Sequence, residues 1–278
     1  MPDIWRLLIT PPSYGAWNMA VDESILEHIG RRASQPTLRL YAWTPACLSL
    51  GHAQAYADAD LDRLKGHGWE IVRRPTGGRA ILHTDELTYS VIGSIDEPRL
   101  AGSVLESYNR LACALLQAVR SFGLDARSNP LRVDTAVSGV PMQDSPNPVC
   151  FEVPSAYEIT VGGKKLIGSA QARRKDGVLQ HGTLPLSGDL VRITEALVFP
   201  DDAARLDAGH RLLARATTVE SALGHLISWD DAARAFVCAF ESELDLHFET
   251  GNMLVSEEQR ADELVDKKYN HPDWMQRV

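Results

Sequence analysis

Apolar positions recur at steps of three and four in several stretches of the chain. Val104, Tyr108, Leu111, Leu115, Val119 and Phe122 predict an amphipathic helix, opened by a Ser103/Glu106 capping box and stopped at Gly123. An earlier helix is predicted over 17–29, closed by Gly30. Thr217 with Glu220 and Ser228 with Asp231 open two later helices, the second carrying Phe236, Val237, Phe240 and Leu244 on one face. Between them the pattern shortens to strands. Residues 69–73 and 87–92 are rich in β-formers and flank a glycine pair. Residues 157–161 lead into Gly162-Gly163 and then 165–170, a hairpin signal because a type I′ turn needs positive φ at both central positions. Lys175-Asp176-Gly177 predicts a second hairpin into 178–186. Adjacent hairpins pair antiparallel, so the expected class is α+β: a largely antiparallel mixed sheet with flanking helices. Residues 133–149, with four prolines or glycines, read as a long loop, and such loops are more often functional than idle. Beyond Glu249 the chain turns polar, and a helical appendage is expected.

Composition narrows the class of function. The 278 residues are 44% hydrophobic and 23% charged, with a net charge of −9, values ordinary for a globular protein and far from global disorder. An acidic balance argues against a general nucleic-acid binder, which carries a basic field. Apolar runs reach only six residues, at 111–116 and 235–240, where a membrane span needs roughly 20. Pro11-Pro12 interrupts the start before a signal-peptide core can form, so a cytoplasmic location is expected. The four cysteines (Cys47, Cys113, Cys150 and Cys238) make no Cys-x-x-Cys pair, and reduced thiols are the default. Cys113 and Cys238, on apolar helices, are expected to be small buried hydrophobes.

Three segments could carry chemistry. Arg73-Arg74-Pro75-Thr76-Gly77-Gly78-Arg79 through His83 reads either as strand, turn and strand with arginines on a solvated face, or as a backbone cradle. In the second reading the glycines admit a ligand close to peptide N–H groups and Arg73, Arg74 and Arg79 supply charge for an anion. It is neither a P-loop nor a dinucleotide fingerprint. Cys150 stands at the end of the Pro/Gly-rich loop, fifteen residues before Lys165. Lys164 and Lys165 follow a Gly-Gly turn; on a regular strand they point to opposite faces, Lys165 sharing its face with Ile167 and Ser169. A lysine beside a thiol favours the reactive thiolate. Gly168-Ser169 permits close backbone approach, and His181 on the following strand either lines the same cleft or is a satisfied structural histidine. No motif for a metal, haem or nucleotide cofactor is present.

In order along the chain, Arg73-Arg74-x-x-Gly77-Gly78-x-x-x-x-His83, Lys165-x-x-Gly168-Ser169-Ala170 and His181-Gly182-Thr183 resemble the lipoate-protein ligase/biotin-ligase catalytic family. The resemblance implies a catalytic domain over 31–248, with 249–278 a helical appendage packed on it. Arg73 to Ala80, Glu86-Leu-Thr-Tyr-Ser90, Val149-Cys150-Phe151 and Gly168-Ser-Ala-Gln171 look most like its cysteine-dependent octanoyltransferase branch. That branch moves octanoyl from acyl-carrier protein to a lysine of the glycine cleavage H protein, with no cofactor, nucleic acid or membrane involved.

Carried over residue by residue, the resemblance makes Cys150 the acyl carrier and Lys165 the lysine that lowers its pKa. Arg73, Arg74, Gly77, Gly78, Arg79, His83, Gly168, Ser169 and His181 become substrate-binding candidates. Peptide N–H groups near Gly77-Gly78 or Gly168-Ser169 are oxyanion candidates, and Ile81, Val91 and Ile167 line an expected acyl tunnel. Arg73, Arg74, Arg79, Arg173, Arg174 and Lys175 form the expected docking patch for acidic partners. Two relatives stay open. ATP-dependent lipoate ligases carry a third glycine where this chain has Arg79 and need no cysteine at Cys150; a sister amidotransferase branch takes octanoyl from H protein to lipoyl domains.

Overall fold

The longest strand buried at every position anchors the architecture, because a central strand hides both faces. In the computed structural model, which describes residues 2–128 and 158–278, that strand is β6 (Glu86–Gly93). It pairs antiparallel with β2 (Thr37–Tyr41) on one side and β10 (Gly177–Pro185) on the other. Beyond β2 the sheet continues in parallel through β1 (Asp3–Ile9) to β11 (Leu246–Thr250). Beyond β10 it continues antiparallel through β9 (Lys164–Arg174) and β8 (Ile159–Val161) to β7 (Ala126–Ser128). The order is β11-β1-β2-β6-β10-β9-β8-β7. A second sheet sets β3 (Cys47–Leu50) between β4 (Glu70–Arg73), parallel, and β5 (Ile81–His83), antiparallel. The expected α+β class with a largely antiparallel mixed sheet is the one observed.

Both faces of the large sheet are covered. On one, α3 (Val104–Ser121) and α6 (Trp229–Leu244) bury Leu111, Leu115, Phe236 and Phe240 against Tyr89 and Val91. On the other, α1 (Gly15–Gly30) packs Met19, Ile25 and Leu26 against Ile92 and Leu179, and α7 (Val255–Leu264) adds Ala261 and Leu264. The small sheet packs Leu48 and Leu50 on Leu64 of α2 (Leu61–His67) and Leu212 of α4 (Asp202–Arg215). Short helices α5 (Val219–Leu223) and α8 (Pro272–Met275) complete the chain.

Most local signals act as the pattern predicts. Ser103 and Glu106 form both halves of the capping box. Gly162 and Gly163 adopt φ of 57° and 77°, the I′ geometry. Helix α5 starts one residue late, with Thr218 rather than Thr217 as its cap. Two expectations are corrected. The glycine pair does not join neighbouring strands: β4 and β5 flank β3, so the Arg74–Ala80 segment crosses over a strand supplied from earlier in the chain. Cys113 and Cys238 are exposed, on the outer sides of their helices, while Cys47 is fully buried. In the large sheet β1 lies between β2 and β11, and α1 fills the core beside it. Residues 249–278 are largely helical and share the α1 cluster through Ala261, Leu264, Val265 and Tyr269. Among the described residues no helix is long and apolar enough to cross a membrane.

Beneath this packing lies a buried ion pair. Arg39 Nη1 meets Asp22 Oδ1 at 2.8 Å, with both side chains fully inaccessible, and Arg39 Nη2 donates to Asn18 Oδ1 at 2.7 Å. Removing one partner leaves a stranded charge, which costs about 3–5 kcal/mol. Arg39→Leu is therefore expected to lower the unfolding free energy by that amount in urea titration; a loss under about 1 kcal/mol would mean that Asp22 is not held as described.

Candidate active site

A cleft of about 570 Å³ opens between the two sheets. The small sheet and its loop contribute Ser49, Arg74, Gly77, Gly78, Ile81 and His83; the large sheet contributes Thr88, Lys165, Gly168, Ser169, His181 and Thr183. Its walls are close because glycine stands where a side chain would collide. A Cβ at Gly182 would lie 2.6 Å from the Gly168 carbonyl and 2.7 Å from the Tyr89 ring. A Cβ at Gly168 would lie 2.9 Å from Lys165 Cε, so that glycine makes room for the lysine stem.

Lys165 reaches the cleft through an irregularity in β9. The ladder pairs Thr160 with Lys165 but Ile159 with Ile167, leaving Leu166 as an extra residue. Such a bulge re-aims side chains. Leu166 and Ile167 both enter the main apolar cluster, and Lys165 lies against Gly168 rather than sharing a face with Ile167. Its side chain is 4% exposed, and the ammonium meets Glu158 Oε1 at 2.8 Å. Glu158 sits just before β8, and no motif pointed to it.

Two buried hydrogen-bonded chains join the sheets. In the first, His83 Nδ1 contacts Glu86 Oε1 at 2.5 Å and His83 Nε2 contacts Ser49 Oγ at 2.8 Å. The Trp43 ring stacks on His83 with centroids 3.9 Å apart. Trp43 Nε1 donates to Thr88 Oγ1 at 2.8 Å, and Thr88 Oγ1 donates to Glu86 at 2.6 Å. In the second, Thr76 Oγ1 and His181 Nε2 lie 2.6 Å apart, and His181 Nδ1 faces Asp22 Oδ2 at 3.6 Å. Ser90 Oγ also donates to Asp22, at 2.6 Å. Ser49, Trp43, Thr76 and Asp22 carried no local signal, since their partners come from distant strands.

The paired arginines have unlike jobs. Arg74 donates to the carbonyls of Ser49 (2.8 Å), Gly77 (2.8 Å) and Arg79 (2.7 Å), folding the glycine loop onto the edge of β3. Gly78 is at φ 93°, and a Cβ at Gly51 would meet its carbonyl at 1.9 Å. Arg73 is fully buried and donates to the carbonyls of Met275 (2.7 Å) and Gly51 (2.9 Å), fastening the C-terminal segment. Among the described residues neither Arg73 nor Arg79 lines the cleft, whereas Arg74, Gly77, Gly78, His83, Lys165, Gly168, Ser169 and His181 do. Ile81 lines it too, but Val91 and Ile167 belong to the main core. The expected docking patch is largely spent on the fold. Arg173 donates to the Leu100 carbonyl at 2.6 Å, Arg174 pairs with Glu23 at 2.7 Å, and of the hairpin's three cations Lys175 alone is exposed. Cys150 and the 133–149 loop lie outside the described residues.

Burial dominates the electrostatics. It pushes the His181 imidazole below its ordinary value of 6.5 against the opposing pull of Asp22. Burial alone would raise Glu86 and Asp22; His83 with its hydrogen bond draws Glu86 down, and Arg39 with His181 draws Asp22 down, so both carboxyls end below their usual range. Glu86 is thus a carboxylate that accepts, and His83 Nδ1 donates to it.

Three comparisons bear on this geometry. Residues 15–241 match the family model described as the lipoyl protein ligase A/B catalytic domain. The chain is 40% identical to Octanoyltransferase LipM of Symbiobacterium thermophilum and 32% identical to Octanoyltransferase LipM of Bacillus subtilis, each alignment covering 98% of both chains. Its fold matches a bi-partite lipoate protein ligase of Thermoplasma acidophilum with a TM-score of 0.80 at 26% identity, over 99% of this chain and 98% of that one.

The depressed His181 value sets a sign for stability. The unfolded chain takes up a proton near 6.5 that the folded chain refuses, so this stability is present above pH 6.5 and drains as pH falls below it. Asp22 and Glu86 act the same way at lower pH, as the unfolded carboxyls protonate near 3.8 and 4.5. As pH falls below 6.5, wild type is expected to lose stability with a His181 contribution of at most about 1.4 kcal/mol per pH unit. His181→Asn removes that slope. Parallel pH curves of urea midpoint for the two proteins would contradict the assignment.

Proposed function

Because the chain belongs to the lipoyl protein ligase A/B catalytic domain family and is an octanoyltransferase, we propose that it carries the octanoyl group as a thioester on Cys150. The donor is octanoyl-acyl-carrier protein, the acceptor a lysine of the glycine cleavage H protein, and the setting the cytoplasm. The observation that carries this reading is the Lys165 ammonium, buried against Glu158 yet lining a cleft walled by the glycine loop and by Gly168-Ser169.

The Cys150 thiolate attacks the donor thioester. A new C–S bond forms, the old one breaks, and the carrier leaves with its sulfur. One thioester replaces another at nearly equal energy, so the step calls for no nucleotide. Lys165 favours the thiolate over the thiol. The acceptor amine then attacks the acyl-enzyme, and formation of the amide drives the second half forward, an alternation that gives ping-pong kinetics. Six methylenes of the acyl tail at ~0.8 kcal/mol each offer about 5 kcal/mol of binding. Among the described residues the cleft presents apolar groups of Met19, Trp43, Ile81 and Ala170 to them. With Arg173 and Arg174 engaged internally, docking of the two protein partners falls to shape and a few local charges rather than to a basic field.

Intact-protein mass spectrometry after mixing with octanoyl-acyl-carrier protein tests the reading. Wild type is expected to gain one octanoyl group, removable by hydroxylamine, without ATP; Cys150→Ala gains none. Lys165→Ala is expected to slow adduct formation about tenfold for each pH unit by which the ammonium lowers the thiol, a deficit that closes above about pH 9 as the thiol ionises unaided. Activity surviving Cys150→Ala and requiring ATP would replace this reading with the ligase one. Transfer from octanoyl-H protein to a lipoyl domain, with none from the carrier protein, would replace it with the amidotransferase one.

A further inference from the structure

The second half of the reaction has a requirement that Lys165 does not meet. An acceptor lysine arrives mostly as an ammonium, its ordinary pKa being about 10.4. It leaves as an amide nitrogen with a single hydrogen, so two protons must depart. A lysine that donates to Glu158 and serves a thiolate offers no lone pair to receive one. On the opposite wall the chain of hydrogen bonds through Ser49 and His83 has the needed polarity. Arg74 Nη1 donates to Ser49 Oγ at 3.2 Å, which turns the hydroxyl proton toward His83 Nε2, 2.8 Å away. His83 Nδ1 faces Glu86 at 2.5 Å, and Thr88 fills another Glu86 lone pair at 2.6 Å. Every donor points toward the one carboxylate. The imidazole ring is fixed by Trp43, and Ser49 and His83 both line the cleft.

We propose that Ser49, His83 and Glu86 form the proton relay that activates the acceptor lysine. The inference rests on the thioester reading given above. Before attack the acceptor ammonium passes one proton to Ser49 Oγ while Ser49 passes its own to His83 Nε2, and the lone pair so freed on nitrogen forms the C–N bond. The resulting imidazolium is stabilised by the Glu86 carboxylate and later releases its proton to water. The remaining proton leaves the nitrogen to water directly. The C–S bond breaks with its electron pair on sulfur, and the Cys150 thiolate is restored. The charged and titratable groups around His83 are Glu86 on β6, Arg74 behind Ser49, and Lys165 and His181 on the facing wall. Cys47, opposite His83 in the β3 ladder, is turned away: its sulfur lies 2.4 Å from where a Gly15 Cβ would stand.

The relay is tested by timing the two halves separately on the full chain: acyl-enzyme formation by rapid quench, then transfer from pre-formed acyl-enzyme to H protein. His83→Ala is expected to slow transfer by about 10²–10⁴-fold and acylation far less. Added imidazole should restore part of the transfer rate, and the deficit should shrink as pH approaches about 10, where the acceptor deprotonates itself. Ser49→Ala, a change too small to collapse the cleft, should share the selective loss on transfer. Equal slowing of both halves, with no response to imidazole or pH, would reduce His83 to a structural group and overturn the relay. Normal transfer in either variant would overturn it as well. If wild type itself forms no acyl-enzyme, the thioester reading falls and the relay with it, an outcome distinct from the other two.

Discussion

A carboxylate buried between two sheets sets the shape of this molecule's cleft. Glu86 opens β6, the central strand of the large sheet, and His83 ends β5, an edge of the small one. A buried carboxylate without donors costs several kcal/mol, so the imidazole N–H cannot withdraw from it cheaply. That contact, with Thr76 against His181 on the other side, fixes the separation of the two walls. The glycines then decide what fits in the gap: Gly182 lets β9 and β10 close up, and Gly168 leaves a channel for the Lys165 stem.

The arginine pair at the end of β4 extends the same logic. Arg74 spends its donors on carbonyls of Ser49, Gly77 and Arg79, so a loop that would otherwise be open backbone becomes a wall. Arg73 faces the other way and holds the Met275 carbonyl, joining the C-terminal segment to the back of that wall. Neither arginine waits for an anion. Lys165, which lines the cleft, brings its ammonium against Glu158.

Local rules carried much of the fold. The capping box at Ser103, the I′ turn at Gly162-Gly163 and the buried stripe on α6 act through neighbours a few residues away, and these are legible from spacing. So were most cleft residues, through a resemblance whose motifs mark backbone close approaches. What stayed hidden depends on distant partners. An arginine looks the same in a sequence whether it meets water or carbonyls, so Arg73, Arg173 and Arg174 read as a surface patch. Alternation along β9 placed Lys165 with Ile167, because a bulge is set by the partner strand and not by β9 alone. Cys113 and Cys238 sit on apolar helices, yet on the sides that face out. Glu158, Ser49 and Trp43 meet Lys165 and His83 only once β3, β5 and β8 are in position.

The central claim is that the acyl group rests on the enzyme between two protein partners and that no nucleotide is consumed. Following the release of free carrier thiol in the first turnover, with neither acceptor nor ATP present, tests it most directly. The account predicts a burst of one carrier per enzyme that then stops. Silence until acceptor or ATP is added would contradict it.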